Sequence, residues 1–291
     1  MATMVQQGGD VKKTIIDGVE VYDNIYGAWM STLPYNFYWG SAVVLNNEIH
    51  ILGSDIASNY TKHYKWNGTQ WMSVSTLPYA LRYGQAVVLN NEIHILGGYG
   101  SEPSHYKWNG SQWVSVSTLP YACYEGFSAV VYNNEIHILG GTGNGNSHYK
   151  WNGTQWTSIS TLPYMFYGSA VVLNNEIHIL GGYGSETSHY KWNGSQWVSV
   201  STLPYNYHFG SAVVLDNELH ILGSDRSGTS TKHYKWDSYQ WTSVSTLPYD
   251  FYRGSAVIYN NKIHILGGYQ SDTQNKHYKI PKSILAIVAT Y

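Results

Sequence analysis

Residues 40–76 run through short apolar stretches and turn residues with no helical period. Gly40-Ser41-Ala42-Val43-Val44-Leu45 is a β-branched run closed by Asn46-Asn47. Glu48-Ile49-His50-Ile51-Leu52 follows and ends at Gly53. Beyond a polar stretch come Lys62-His63-Tyr64-Lys65-Trp66, the pair Asn67-Gly68, and Gln70-Trp71-Met72-Ser73-Val74-Ser75. These predict four strands in a meander. Asn67-Gly68 predicts a two-residue type I′ hairpin, which needs positive φ at both positions. The first strand has no polar alternation, so both of its faces are expected to be buried. The fourth is the most polar, as suits an outer edge. Pro78 then breaks the sheet.

The unit is copied along the chain. Ser-Thr-Leu-Pro-Tyr begins at Ser31, Ser75, Ser117, Ser160, Ser201 and Ser245, a period between 40 and 50 residues that marks a propeller or a solenoid. First strands begin near Gly40, Gly84, Gly126, Gly168, Gly210 and Gly254, which predicts six blades around an axis. The fold expected is all-β: a six-bladed β-propeller of four-stranded antiparallel blades, spanning 14–291 behind an N-terminal arm of 1–13. Val19–Asp23 resembles a third strand and Ala28–Ser31 a fourth, whereas the last copy loses its Trp after His277-Tyr278-Lys279-Ile280. The chain ends are therefore expected to share one blade, which removes open sheet edges. One strand is surplus, so either 283–290 or 14–23 is expected to lie outside the ring, against a partner in a larger assembly.

Two further motifs recur in register. A double glycine closes the second strand at Gly97-Gly98, Gly140-Gly141, Gly181-Gly182 and Gly267-Gly268, with Gly53-Ser54 and Gly223-Ser224 as departures. A Tyr precedes a Trp with six residues between, as in Tyr64 and Trp71 or Tyr106 and Trp113. Over roughly residues 15–280 the chain resembles the kelch-repeat family. That resemblance implies a propeller serving as a surface, phage-tail or virion component, as an intracellular adaptor, or as an enzyme such as a copper oxidase or a sugar mutarotase. The oxidase would need a Tyr–Cys cross-link, for which Cys123-Tyr124 is the only neighbouring pair. A mutarotase would draw on loop acids with Arg82, Arg226 and Arg253.

Composition narrows the function. Charged residues make up 12% of the chain and the net charge is -2, so no basic stripe exists to bind nucleic acid. No apolar run is long enough for a transmembrane helix, and no secretory signal is visible, so no membrane insertion is expected. Twelve of the thirteen His occupy repeat positions. A pair such as His50 and His63 lacks two further ligands for a four-coordinate metal, so the pairs are expected to be structural and no cofactor is expected. The Asn-Gly-Thr/Ser triplets match glycosylation sequons, but the turn already requires them.

The copies differ where loops reach one face of the ring. The loops entering each blade read Tyr35-Asn-Phe-Tyr-Trp39, Tyr79-Ala-Leu-Arg-Tyr83, Tyr121-Ala-Cys-Tyr-Glu125, Tyr164-Met-Phe-Tyr167, Tyr205-Asn-Tyr-His-Phe209 and Tyr249-Asp-Phe-Tyr-Arg253. The third gains a residue around Phe127 and the fourth loses one. The loops after the second strand carry Asp55, Glu102, Glu186, Asp225 and Asp272. Aromatic and small polar residues on a rigid scaffold form recognition surfaces. The candidate ligand-binding residues are Tyr38, Trp39, Arg82, Tyr83, Tyr124, Glu125, Phe166, Tyr167, His208, Phe209, Tyr252 and Arg253. The uniform Tyr of Leu-Pro-Tyr is expected to do one packing job in every copy. The function expected is non-catalytic attachment to a surface glycan or protein, outside the cell or on a virion, with a cytoplasmic adaptor as the alternative.

Overall fold

The computed structural model describes residues 27–54, 60–99, 103–182, 184, 186–223, 231–269 and 274–280, together with the backbone of Thr3–Met4, Thr14–Ile16 and Val19–Val21. Six four-stranded antiparallel sheets form the blades of a propeller. Blade 1 comprises Ser41–Leu45, Glu48–Leu52, Lys62–Trp66 and Trp71–Thr76. Blades 2 to 5 start with Gln85–Leu89, Ser128–Tyr132, Ser169–Leu173 and Ser211–Leu215. Blade 6 takes Ser255–Tyr259, Lys262–Leu266 and His277–Lys279 from one end of the chain and Ala28–Trp29 from the other. Each first strand lies beside the next, and that of blade 6 lies beside that of blade 1, so the ring closes.

Val19–Val21 does not fill the third-strand place of blade 6. It pairs with Thr14–Ile16, which pairs with Thr3–Met4, in a separate three-stranded sheet. The physical reason is a side chain. His277 bonds His264 at 2.8 Å, and Val19–Val21 offers no histidine to do so. Segment 283–290 lies outside the described residues.

The unbroken apolar pattern of the first strand has a simple cause. Val43 and Leu45 pack into a cluster shared with blade 2, around Leu81, Ile93 and Trp108. Ala42 and Val44 pack the opposite way, against a cluster shared with blade 6 that includes Val257 and Tyr259. Alternate side chains thus serve opposite neighbours, and both faces are apolar. The turns differ from expectation. Asn46 and Asn47 both have positive φ, at 50° and 57°, so Asn-Asn makes the two-residue type I′ hairpin. At Asn67-Gly68 only Gly68 has positive φ, and the strands stop at Trp66 and Trp71. The loop is four residues long because Asn67 Oδ1 accepts from Thr69 N, Thr69 Oγ1 and Gln70 N, closing it through the side chain.

In blades 1 to 4 a polar chain runs outward from a buried histidine pair and into the next blade. His50 Nδ1 lies 2.8 Å from His63 Nε2, and His63 Nδ1 lies 2.8 Å from Ser75 Oγ. Ser75 Oγ then accepts from Trp113 Nε1 of blade 2 at 3.0 Å. Blades 2, 3 and 4 repeat it through Ser117, Ser160 and Ser201, which accept from Trp156, Trp197 and Trp241. A bulge between His63 and Tyr64 in the outer ladder seats Ser75 opposite His63, and the same shift recurs in those three blades. Blade 6 lacks it. Its outer strand stops at Trp29, Ser31 is exposed, and Trp71 Nε1 and His277 Nδ1 are buried without a partner among the described residues.

Burial holds these histidines neutral. It pushes the inner member of each pair, such as His50, down to about 4 and the outer, such as His63, to about 3, from an ordinary value of 6.5. The other five pairs behave alike. Above pH 6.5 folded and unfolded chains are both neutral at these sites. Below it the unfolded chain takes up protons that the ring cannot, so stability is lost as pH falls toward the folded values. Each buried pair adds to the loss, so the acid side of the stability profile is steep. Urea midpoints are therefore expected to be flat above pH 7 and to fall steeply between pH 6.5 and 4. A flat profile across that window would contradict the buried neutral pairs.

The outer link gives a second expectation. Ser117→Ala leaves His105 Nδ1 and Trp156 Nε1 buried without partners and should cost about 1–3 kcal/mol in chemical denaturation. Ser31→Ala, at the equivalent place in blade 6, should change stability by less than about 0.5 kcal/mol.

Candidate recognition face

The loops that differ between copies are built on a uniform base. In five blades the Tyr of Leu-Pro-Tyr donates its hydroxyl to the carbonyl of the first glycine after the second strand, as Tyr121 does to Gly140 at 2.9 Å. Two residues further on, Phe37, Leu81, Cys123, Phe166, Tyr207 and Phe251 have no exposure at all. Phe166 is therefore not a ligand contact. It fills the gap between blades 3 and 4, beside Leu139 and Leu162, and its place in the loop is a core slot. Cys123 shares that slot, and burial pushes its thiol up to about 12, so it is no nucleophile at neutral pH.

The double glycine allows neighbouring loops to touch. A Cβ at Gly97, where φ is +61°, would lie 2.0 Å from the Cys123 carbonyl oxygen of the next blade. Gly98 N donates to that oxygen at 2.7 Å, and Tyr99 N to Arg82 O at 2.7 Å. Gly268 and Tyr269 repeat these bonds to Phe37 O and Tyr252 O. In blade 1 the second glycine is replaced by Ser54. Its hydroxyl is fully buried and donates to Asn36 O at 2.9 Å, so a side chain does there what a close backbone approach does elsewhere.

Above this base a collar forms. Arg253 N donates to Phe209 O, Trp39 N to Arg253 O, and Tyr83 N to Trp39 O, each at 2.9–3.0 Å. Trp39, Tyr83, Phe209 and Arg253 all adopt positive φ to make this run from blade 5 through blades 6 and 1 to blade 2. The side chains close over the axis. Trp39 meets Tyr83 edge-on at 4.6 Å and Phe209 at 4.8 Å, and the Arg253 guanidinium lies 4.3 Å above the Trp39 ring. Arg253 also contacts the rings of Tyr252 and Tyr269, and Arg82 lies against Tyr83 and Tyr99. Trp39 and Arg253 are thus adjacent and grip each other. Tyr38 packs edge-on against Tyr269, and Tyr124 against Tyr99. Below the collar is an axial chamber of about 200 Å³, floored by the Ser41, Gln85, Ser128, Ser169, Ser211 and Ser255 starts of the first strands.

The collar stops at blades 3 and 4. The extra residue in loop 3 puts Gly126, at φ 85°, where the collar residue would stand, and it lies against Tyr167 of the next loop. Glu125 is displaced outward, and its backbone oxygen accepts from Thr142 N and Oγ1. Loop 4, one residue short, reaches directly from Phe166 to Tyr167. The break leaves a second cavity, of about 690 Å³, walled by Glu125, Thr142, Met165, Tyr167, His208 and Phe209. Of the acids expected on this face, Glu186 carries a carboxylate that accepts from Gly184 N at the cavity's edge. Asp55, Glu102, Asp225 and Asp272 lie outside the described residues. Sequence reasoning missed Tyr99, Thr142, Met165 and Tyr269. The signal for three of them is the residue directly after the double glycine.

No protein-family model matches the chain, and no curated protein is similar to it in sequence. Among solved structures it is similar to one titled "Structure of YjhT", at 16% identity and a TM-score of 0.73, over 86% of this chain and 95% of that one. At that identity the likeness shows the propeller fold.

The core and face assignments are separable. Phe166→Ala should cost about 3–5 kcal/mol of stability. Tyr269→Ala, which trims a ring that is 45% exposed, should cost far less, within about 1 kcal/mol. Urea titration of the two variants checks this.

Proposed function

We propose that the ring is a non-catalytic recognition module that attaches to a surface glycan or protein through the collar face. The observation that carries this reading is the contrast between the two faces. On one, five blades repeat the same Asn-Asn hairpin, with Asp216-Asn217 making the same turn in blade 5, and five repeat the same Lys–Glu bridge, as between Lys65 and Glu48 at 2.8 Å. On the other, the loops differ in length and chemistry, and Tyr99, Met165 and Tyr269 stand about half exposed. Exposed planar rings backed by stacked guanidinium groups suit contact with sugar faces or with a protein's apolar pocket. Among the described residues the axial chamber is lined by no carboxylate, which favours binding over acid–base chemistry on a small sugar. Low charge and a rigid, copied scaffold fit display outside a cell or on a virion. Outright kelch kinship, with an adaptor's protein partner, belongs to the same reading as its protein branch.

Tyr99→Ala, Tyr269→Ala and Arg253→Ala, each first shown to be folded, should weaken binding to arrayed glycans or to cell-surface material by about 2 kcal/mol or more in at least one case. Asn67→Ala and Asn109→Ala on the opposite face should leave it unchanged. Weakening confined to the two asparagine variants would reverse the assignment of the face.

A further inference from the structure

We propose that the cavity over blades 3 to 5 is a separate subsite for an alkylammonium group. The inference rests on reading the collar face as a recognition face and names the chemistry that one part of it takes. Three observations carry it. First, the cavity is a product of the loops' lengths. The backbone chain that seals the face from blade 5 to blade 2 is interrupted by one inserted and one deleted residue, and about 690 Å³ opens in the gap. Second, its walls are aromatic and polarisable. Tyr167 and Phe209 line it, with the His208 ring 3.7 Å from Phe209, and Met165 stands 59% exposed at its rim. Third, the charge on its described walls is negative. The half-buried Glu125 carboxylate has no ion pair or hydrogen bond among the described residues, and Glu186 lies at the far edge. Among the described residues no Lys or Arg lines the cavity. The two described guanidinium groups of the face lie against other rings, Arg253 over Trp39 and Tyr252, and Arg82 over Tyr83 and Tyr99, while Arg226 lies outside the described residues.

A carboxylate beside aromatic faces favours a cation with apolar substituents, because ring quadrupole and carboxylate attract it together while the alkyl groups cover the walls. A neutral sugar would gain the stacking and lose the charge. Such a cation is available either as a small quaternary ammonium headgroup or as the side chain of a lysine.

The test uses the full chain with ¹³C-methyl methionine, in which Met165 reports the cavity directly and a Met165→Leu sample assigns its signal. Choline, Nα-acetyl-lysine methylamide, the neutral choline isostere 3,3-dimethylbutan-1-ol and N-acetylglucosamine are titrated in turn at pH 7.5. One of the two ammonium probes should shift the Met165 methyl saturably, and the tighter of them identifies the source. The neutral isostere should bind about ten-fold more weakly or worse. Glu125→Gln should weaken the ammonium probe about ten-fold and leave the isostere unchanged, with an unaltered thermal melt. Equal binding of charged and neutral probes, insensitivity to Glu125→Gln, or a Met165 response to N-acetylglucosamine alone would overturn the proposal. Tyr269→Ala, which lies off the cavity, should not change the ammonium response. A failure of the wider recognition reading would instead appear as unchanged binding to arrayed glycans and cell-surface material across the collar variants.

Discussion

A buried imidazole has two nitrogens to satisfy, and in this ring the outer histidine satisfies its second on a serine of its own blade that is in turn tied to the next blade. The inner histidine spends one nitrogen on the outer histidine, the outer one spends its other on a serine, and that serine takes a tryptophan N–H from the blade that follows. Much of the repeat follows from this chain. The serine must face the outer histidine, so the outer ladder carries a bulge. The tryptophan must approach from the next blade, so the spacing of strands within a copy can hardly vary. The joint is polar and part-buried. Apolar contacts between blades would tolerate sliding, whereas a hydrogen-bonded chain accepts a single register.

Most of the architecture was legible because the same statement is made six times. One weak strand signal means little, but six in register with turn residues leave few alternatives. What misled was local. Asn-Gly looks like a two-residue hairpin, yet the Asn67 side chain can close a longer loop by itself, and Trp66 and Trp71 prefer to face each other across it. Val19–Val21 looks like a blade strand by spacing alone, but lacks the histidine that a third strand needs. Phe166 reads as a loop aromatic because loop 4 is short. Counting from its Leu-Pro-Tyr rather than back from Gly168 places it in the core slot that Phe37 and Phe251 occupy.

The face was less legible than the fold. Its candidate residues are brought together, with Tyr38, Trp39, Arg82, Tyr83, Phe209, Tyr252 and Arg253 in one collar and Glu125, Tyr167, His208 and Phe209 around one cavity. Their separation into two groups depends on where a continuous backbone chain breaks. A count of loop residues shows that loops 3 and 4 are odd, but only the three-dimensional ring shows that the two irregularities stand side by side and add up to a single opening.

The blade shared by the two ends has a consequence for how the molecule comes into being. Ala28–Trp29 is among the first parts of the ring to leave the ribosome, and its partner His277–Lys279 is among the last. Until then the nascent chain carries an open edge at each end of a growing arc, and each edge has nearly the same sequence as every internal one. Nothing in the strands themselves tells one copy's edge from another's. Two unfinished arcs close together on one messenger could therefore join to each other as readily as each closes on itself. Crowding during synthesis, rather than the energy of the finished ring, then sets how much of the chain becomes a single six-bladed molecule.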